Sequence, residues 1–171
     1  MGSIAALDEL MRRIGLDQTE TDERCRLLDW QAGDAARLNA QAKSMESAQQ
    51  AFVERLYQHL GAFPGPASLI SNEGTLSRLK HSQLDYYQRL WRGPYDYDYV
   101  ASRLRIGLIH QIVGVELKWY LGGYRLYLDS TLNELFPDDA QRKLFASLLK
   151  AVFFDMTLAI DTYSAAQRKA L

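Results

Sequence analysis

The sequence predicts an all-α protein, and three observations carry that expectation. Only four prolines occur, and Pro64, Pro66, Pro94 and Pro137 all fall where helical periodicity lapses. β-Branched residues never alternate with polar ones over a length that makes a strand. Apolar residues instead recur at helical spacing, as in Phe52, Leu56 and Leu60.

Each element follows from local signals. Residues Ser3 to Ile14 read as a first helix, with Ser3 as its cap and Gly15 as its stop. A second starts near Thr19, where Glu20 and Asp22 place acid at the positive end of the helix dipole. One or two further helices cover Asp34 to Leu60. The stretch "GAFPGPASLISNEGT" is the least regular of the chain and reads as a loop with short helical turns. Thr75 opens a helix to about Trp91, and Gly93-Pro94 breaks it. Helix resumes near Asp96 and runs to about Ile112, and the next spans Val115 to Leu135. Phe136-Pro137-Asp138 is a stop followed by a cap, and a last helix runs from Asp138 to the C-terminus.

The last helix is unusually apolar. Leu144, Leu148, Val152, Phe153, Phe154 and Leu158 are among hydrophobic positions that surround its middle. A helix buried on one face needs only three or four such residues per two turns. Two explanations fit: the helix is central to its own domain, or a second subunit covers its other face. The expectation here is a homodimer.

Composition excludes several functions. The chain of 171 residues is 47% hydrophobic and 24% charged, which fits one globular domain, residues 1–171. Twenty basic residues face twenty-one acidic ones, so no footprint for nucleic acid or an anionic membrane exists. Cys25 is the sole cysteine, which rules out an intrachain disulfide or a multi-cysteine zinc site. The N-terminus lacks a secretory pattern, and Lys150 and Asp155 interrupt the longest apolar run. A cytoplasmic protein is expected.

The histidines are His59, His81 and His110, and none belongs to a metal-binding or nucleophile motif. His110 is the unusual one, because Ile106, Leu108, Ile109, Ile112 and Val113 surround it. Such an imidazole is either a core residue with its hydrogen bonds satisfied or a ligand. One histidine suffices as a ligand when a flat apolar cofactor brings four nitrogens of its own, as haem does.

The segment "RLRIGLIHQIVGVELKWYLGGY" resembles the proximal segment of globin-coupled sensors, the haem domains of bacterial aerotaxis transducers and gas-regulated diguanylate cyclases. The matching residues are Arg105, Ile106-Gly107, His110, Val113-Gly114 and Trp119-Tyr120. The match runs without an evident gap from about Gln50 to Asp129. The resemblance implies a globin fold with an extra N-terminal helix, dimerising through its last two long helices. It implies haem b held by His110 as the iron ligand, with Val113 beside it and Tyr120 as a proximal tyrosine that senses changes near the iron. "FVERLYQHL" places a distal tyrosine at Tyr57, and "LSRLKHSQL" places Leu79 and Ser82 against the gas.

The function implied is reversible O2 binding, with CO and NO as further ligands, that regulates a linked output domain, most often a diguanylate cyclase. No output module occurs in these residues, which read as the sensor domain alone. A haem-free globin-like interaction module is the alternative. A haem enzyme requires an electron supply or a distal acid/base pair, and neither is evident in the sequence.

Overall fold

The computed structural model describes residues 2–135 and 139–167, and within them the chain is helical with no strand. The helices are α1 (Gly2–Ile14), α2 (Gln18–Leu27), α3 (Ala32–Gln41), α4 (Glu46–Leu60), α5 (Pro64–Leu69), α6 (Glu73–Arg92), α7 (Tyr97–Val113), α8 (Leu117–Leu135) and α9 (Asp139–Gln167). The expected stop and cap at Phe136-Pro137-Asp138 lie outside the described residues.

Local chemistry explains the boundaries and corrects some expected starts. Gly15 ends α1 with φ of 64°, a left-handed value that favours glycine. α2 begins at Gln18, one residue before the expected Thr19, because Asp17 caps it: its carboxylate accepts the Glu20 amide at 2.9 Å. α6 begins at Glu73, two residues before the expected Thr75, because Asn72 caps it: the Thr75 amide donates to the Asn72 side chain at 3.0 Å. In both cases a short polar side chain three residues earlier satisfies an amide that the helix leaves free. Asp96 caps α7 as expected, accepting from the Tyr99 amide. Gly114, at φ of 77°, closes α7.

α9 is the central helix. It packs on α7, α3, α8, α1 and α6. Leu148, Ala151, Val152 and Leu158 are fully buried inside this one chain. The apolar wrapping of α9 therefore has an intrachain cause, and the inference from that wrapping to a second subunit is withdrawn. One core cluster joins α3, α4, α6, α8 and α9 through Leu38, Phe52, Leu90, Trp91, Tyr127 and Leu148. Within it, the Tyr87 and Tyr127 rings stack at 4.1 Å, and the Trp91 indole donates to the Tyr127 hydroxyl. A second cluster seats α1 against α7 and α9 through Leu7, Leu10, Tyr99, Leu104 and Leu158. The side chains of Phe153 and Phe154 lie outside the described residues.

A charged lock fastens α3 to α9. Asp34 is fully buried. It accepts from the Gln31 amide, Ser147 and Lys150, and pairs with Arg37. Burial pushes its carboxyl up, but these donors outweigh burial and hold it at about 2. A folded-state value below the unfolded one adds stability that is complete above the unfolded carboxylate value and lost as pH falls toward 2. A depression of that size corresponds to about 2 kcal/mol. Urea titrations of wild type and Asp34→Asn at pH 7 and pH 3 check this. The wild type should lose stability between the two, and the variant should be weaker at pH 7 and lose less. Equal acid sensitivity in both proteins would remove the assignment.

Candidate functional site

The six residues expected at the site come from four helices. Tyr57 lies on α4, Leu79 and Ser82 on α6, His110 and Val113 on α7, and Tyr120 on α8. His110 sits in the last turn of α7 and is half-buried. Its Nδ1 is 3.0 Å from the Ile106 carbonyl one turn earlier. A carbonyl oxygen only accepts, so Nδ1 carries the proton and Nε2 keeps its lone pair. Burial lowers the imidazole pKa, against the pull of the Ile106 carbonyl. The tautomer of the ring is therefore set by the helix backbone, and its Nε2 lone pair is free to meet a ligand or a metal.

The surroundings of His110 are apolar and unusually open. Ile109, Ile112 and Val113 on α7 are 53%, 69% and 50% exposed, and Leu79 on α6 is 36% exposed. Single exposed apolar residues are ordinary, whereas here three fall within the five positions from Ile109 to Val113, around one histidine. Ser82 is exposed, and so are His81 and His59. Tyr57 is 9% exposed, and its hydroxyl has no hydrogen-bond partner among the described residues. Burial pushes its pKa up to about 12, so the phenol stays a protonated donor at neutral pH.

The motif around His110 has a local reason at nearly every position. Gly107 lies where α7 meets α9: a Cβ there would stand 3.0 Å from Thr162 Oγ1. Ile106 supplies the carbonyl for His110. Gly114 takes the left-handed closing position of the helix. Trp119 packs its ring on Phe63 at 5.1 Å and against Gly65, fixing the start of α8 to α5. The Tyr120 ring meets the His110 ring edge-on at 5.9 Å.

Sequence reasoning missed the polar centre behind this site. Asp155 of α9 is 1% exposed and Arg103 of α7 is 4% exposed. Arg103 Nε is 3.3 Å from Asp155 Oδ2. Tyr99 donates to Asp155 Oδ1 at 2.8 Å, and Tyr86 and Tyr124 donate to Oδ2 at 3.0 and 3.1 Å. The guanidinium lies 3.8 Å above the Tyr86 ring and 4.4 Å from the Tyr99 ring. Burial pushes the Asp155 carboxyl up against the attraction of Arg103 and the three phenols. One signal was available: a lone carboxylate in the apolar run 144–160 needs a buried partner. Arg103, Gly107 and His110 follow the i, i+4, i+7 spacing of a single helix face.

A family model described as Protoglobin matches residues 17–169. The chain belongs to the protoglobin family. This protoglobin is 34% identical over 175 aligned residues to the heme-based aerotactic transducer HemAT of Halobacterium salinarum. That alignment takes in 93% of this chain and 36% of the transducer, so the chain spans only that share of its relative's length. The fold matches the globin domain of the Geobacter sulfurreducens globin-coupled sensor with a TM-score of 0.76 and 20% identity. That match covers 83% of this protoglobin and 96% of the solved chain. The all-α expectation is thereby narrowed to the globin fold.

The donor set of this protoglobin fits haem. Among the described residues no group of three or more His, Cys, Asp or Glu side chains can hold a metal ion. A metal at His110 must therefore bring most of its own ligands, as haem iron does. The neutral imidazole and the apolar strip of Ile109, Ile112 and Val113 suit such a plate. No described helix is long and apolar enough to cross a membrane.

Proposed function

We propose that this protoglobin chain is a haem-based gas-sensor domain that binds O2 reversibly and passes the binding state to a linked output domain. The observation that carries the reading is His110 itself: a neutral imidazole with its tautomer set by Ile106 beside exposed Ile109, Ile112 and Val113. Haem b, when bound, supplies an iron with reversible affinity for O2, CO and NO. His110 Nε2 would hold that iron, with Val113 against the haem beside it. Leu79 and Ser82 would border the gas, and Tyr57 would offer its hydroxyl as a hydrogen-bond donor. Tyr120 packs on His110 and follows its ring.

The output domain is outside these residues. Similarity to an aerotactic transducer favours a chemotaxis-type output over the diguanylate cyclase expected from sequence. We also retain the homodimer as a proposal, through α8 and α9. Gly122 and Gly123 have no atom within 4 Å of a Cβ built on them, and Ile160 is 39% exposed, so these helices keep faces their own chain leaves uncovered. Sedimentation velocity at micromolar protein should show a dimer, and a monomer there ends that part of the proposal. The location in the cell is taken as cytoplasmic.

An absorbance spectrum tests the central claim. Protein supplied with haem should keep a Soret band through gel filtration, and its ferrous form should respond reversibly to O2. A protein that never retains haem is an interaction module that uses the apolar strip of α7 for a partner. Within the sensor reading, Tyr57→Phe removes one hydrogen bond to O2, worth about 0.5–1.5 kcal/mol. O2 dissociation should accelerate about 3- to 10-fold on that basis, and CO, which carries less charge, should respond less. Equal effects on both gases would reassign Tyr57 to a steric role.

A further inference from the structure

The buried Arg103–Asp155 pair raises a question of purpose. Buried ion pairs are weak stabilisers, because removing two charges from water offsets most of their attraction. Asp155 nonetheless accepts three hydroxyl donors, Tyr86 of α6, Tyr99 of α7 and Tyr124 of α8, and pairs with the Arg103 guanidinium of α7. Arg103 in turn donates to the Tyr86 carbonyl at 3.1 Å. No other carboxylate among the described residues joins that many helices in the core.

Two of those partners lead to His110. Along α7, Arg103 and His110 stand seven residues apart on one face, with Gly107 between them packed on Thr162 of α9. Along α8, the His110 ring meets Tyr120, and the Tyr120 ring meets Tyr124 edge-on at 5.1 Å. Tyr124 then donates to Asp155 and also touches the Tyr86 hydroxyl. His110 and α9 are therefore joined twice: through the α7 backbone to Arg103, and through two edge-on tyrosines to the same carboxylate. Hydrogen bonds have narrow angular tolerance, whereas a purely apolar contact slides. A displacement that reaches Tyr124 through the rings, or Arg103 along α7, therefore meets bonds at Asp155 that cannot slide.

We propose that Asp155 is the positioning residue that couples the proximal side of His110 to α9, holding Arg103 and Tyr124 in one arrangement when the gas is bound and another when it is not. The inference rests on the sensor reading. Asp155 acts through Tyr124, Tyr120 and His110, without contact to haem or gas.

The test compares haem-loaded wild type, Asp155→Asn, Tyr124→Phe and Leu158→Ala. Leu158 is fully buried on α9 in the other core cluster and serves as the packing control. Hydrogen–deuterium exchange of α9 is read with and without CO, and the iron–histidine stretch is read by resonance Raman in the ferrous protein. Wild type should show CO-dependent protection across residues 151–162. Asp155→Asn should lose that difference and shift the stretching band. Tyr124→Phe, which removes one hydroxyl and keeps the ring, should shift the band the same way by less. It carries the test alone if Asp155→Asn does not fold. Leu158→Ala should lower Tm yet leave the band and the CO response in place. An unmoved band in both polar variants, an equal shift in Leu158→Ala, or no CO response in wild type overturns the proposal. Absence of a Soret band in wild type instead sinks the sensor reading, and this inference with it.

Discussion

His110→Gly should strip the protein of haem, and imidazole added to the buffer should restore it. In the proposed site His110 is the ligand, and among the described residues no group of three or more His, Cys, Asp or Glu side chains can hold a metal in its place. Without it, only apolar contact with Ile109, Ile112 and Val113 remains, and such contact lacks a directed bond to iron. Glycine at this position costs about 1 kcal/mol of helix stability, which a site in the last turn of α7 tolerates. Gel filtration after haem loading should give a variant with little or no Soret absorbance. Free imidazole in the space left by the ring can supply the same nitrogen, and a Soret band should return with it. A variant that keeps the wild-type ferrous spectrum without imidazole would place the ligand elsewhere. Thermal denaturation of the haem-free proteins completes the comparison. A core histidine removed for packing reasons alone would lower Tm, and imidazole would restore no spectrum.

Arg103→Met should be the most destabilising change outside the site. The substitution keeps much of the volume over the Tyr86 and Tyr99 rings but leaves the Asp155 carboxyl, 1% exposed and already pushed up by burial, with no cation to hold its charge. Breaking a buried pair from one side costs about 3–5 kcal/mol, since the remaining charge is desolvated and uncompensated. That is a large share of the stability of a domain this size. Urea denaturation at pH 7 measures it directly. The Arg12–Glu9 pair supplies the contrast, because both its side chains are largely exposed. Arg12→Met should change the urea midpoint little, as exposed pairs contribute little. If Arg103→Met proves as mild as Arg12→Met, Asp155 takes up a proton at little cost, and the pair does not organise the core.

Much of the fold was legible in the sequence because its causes are local. Helix positions follow from apolar spacing, glycine stops and the scarcity of proline. The His110 motif was legible through its resemblance to globin-coupled sensors; Ile106 and Gly114 serve a local need, whereas Gly107 and Trp119 meet Thr162 and Phe63 across the fold. The expected starts of α2 and α6 fell one and two residues late, because Asp17 and Asn72 stand among several polar residues and only the backbone geometry selects the cap.

The sequence by itself determined the class of the fold and the order of its helices, and its resemblance to globin-coupled sensors named the candidate ligand. Periodicity and short-range chemistry act within a few residues and need no knowledge of what lies across the core. Only the tertiary structure decided what surrounds α9 and what Asp155 is for. A helix that is apolar on all sides reads the same whether its own chain or a partner covers it. Five neighbouring helices do so here. A carboxylate in that helix announces that it needs donors, but donors from α6, α7 and α8 meet it only after the chain has closed on itself. The Arg103–Asp155 link spans 52 positions of sequence, a separation over which no pattern of spacing carries information.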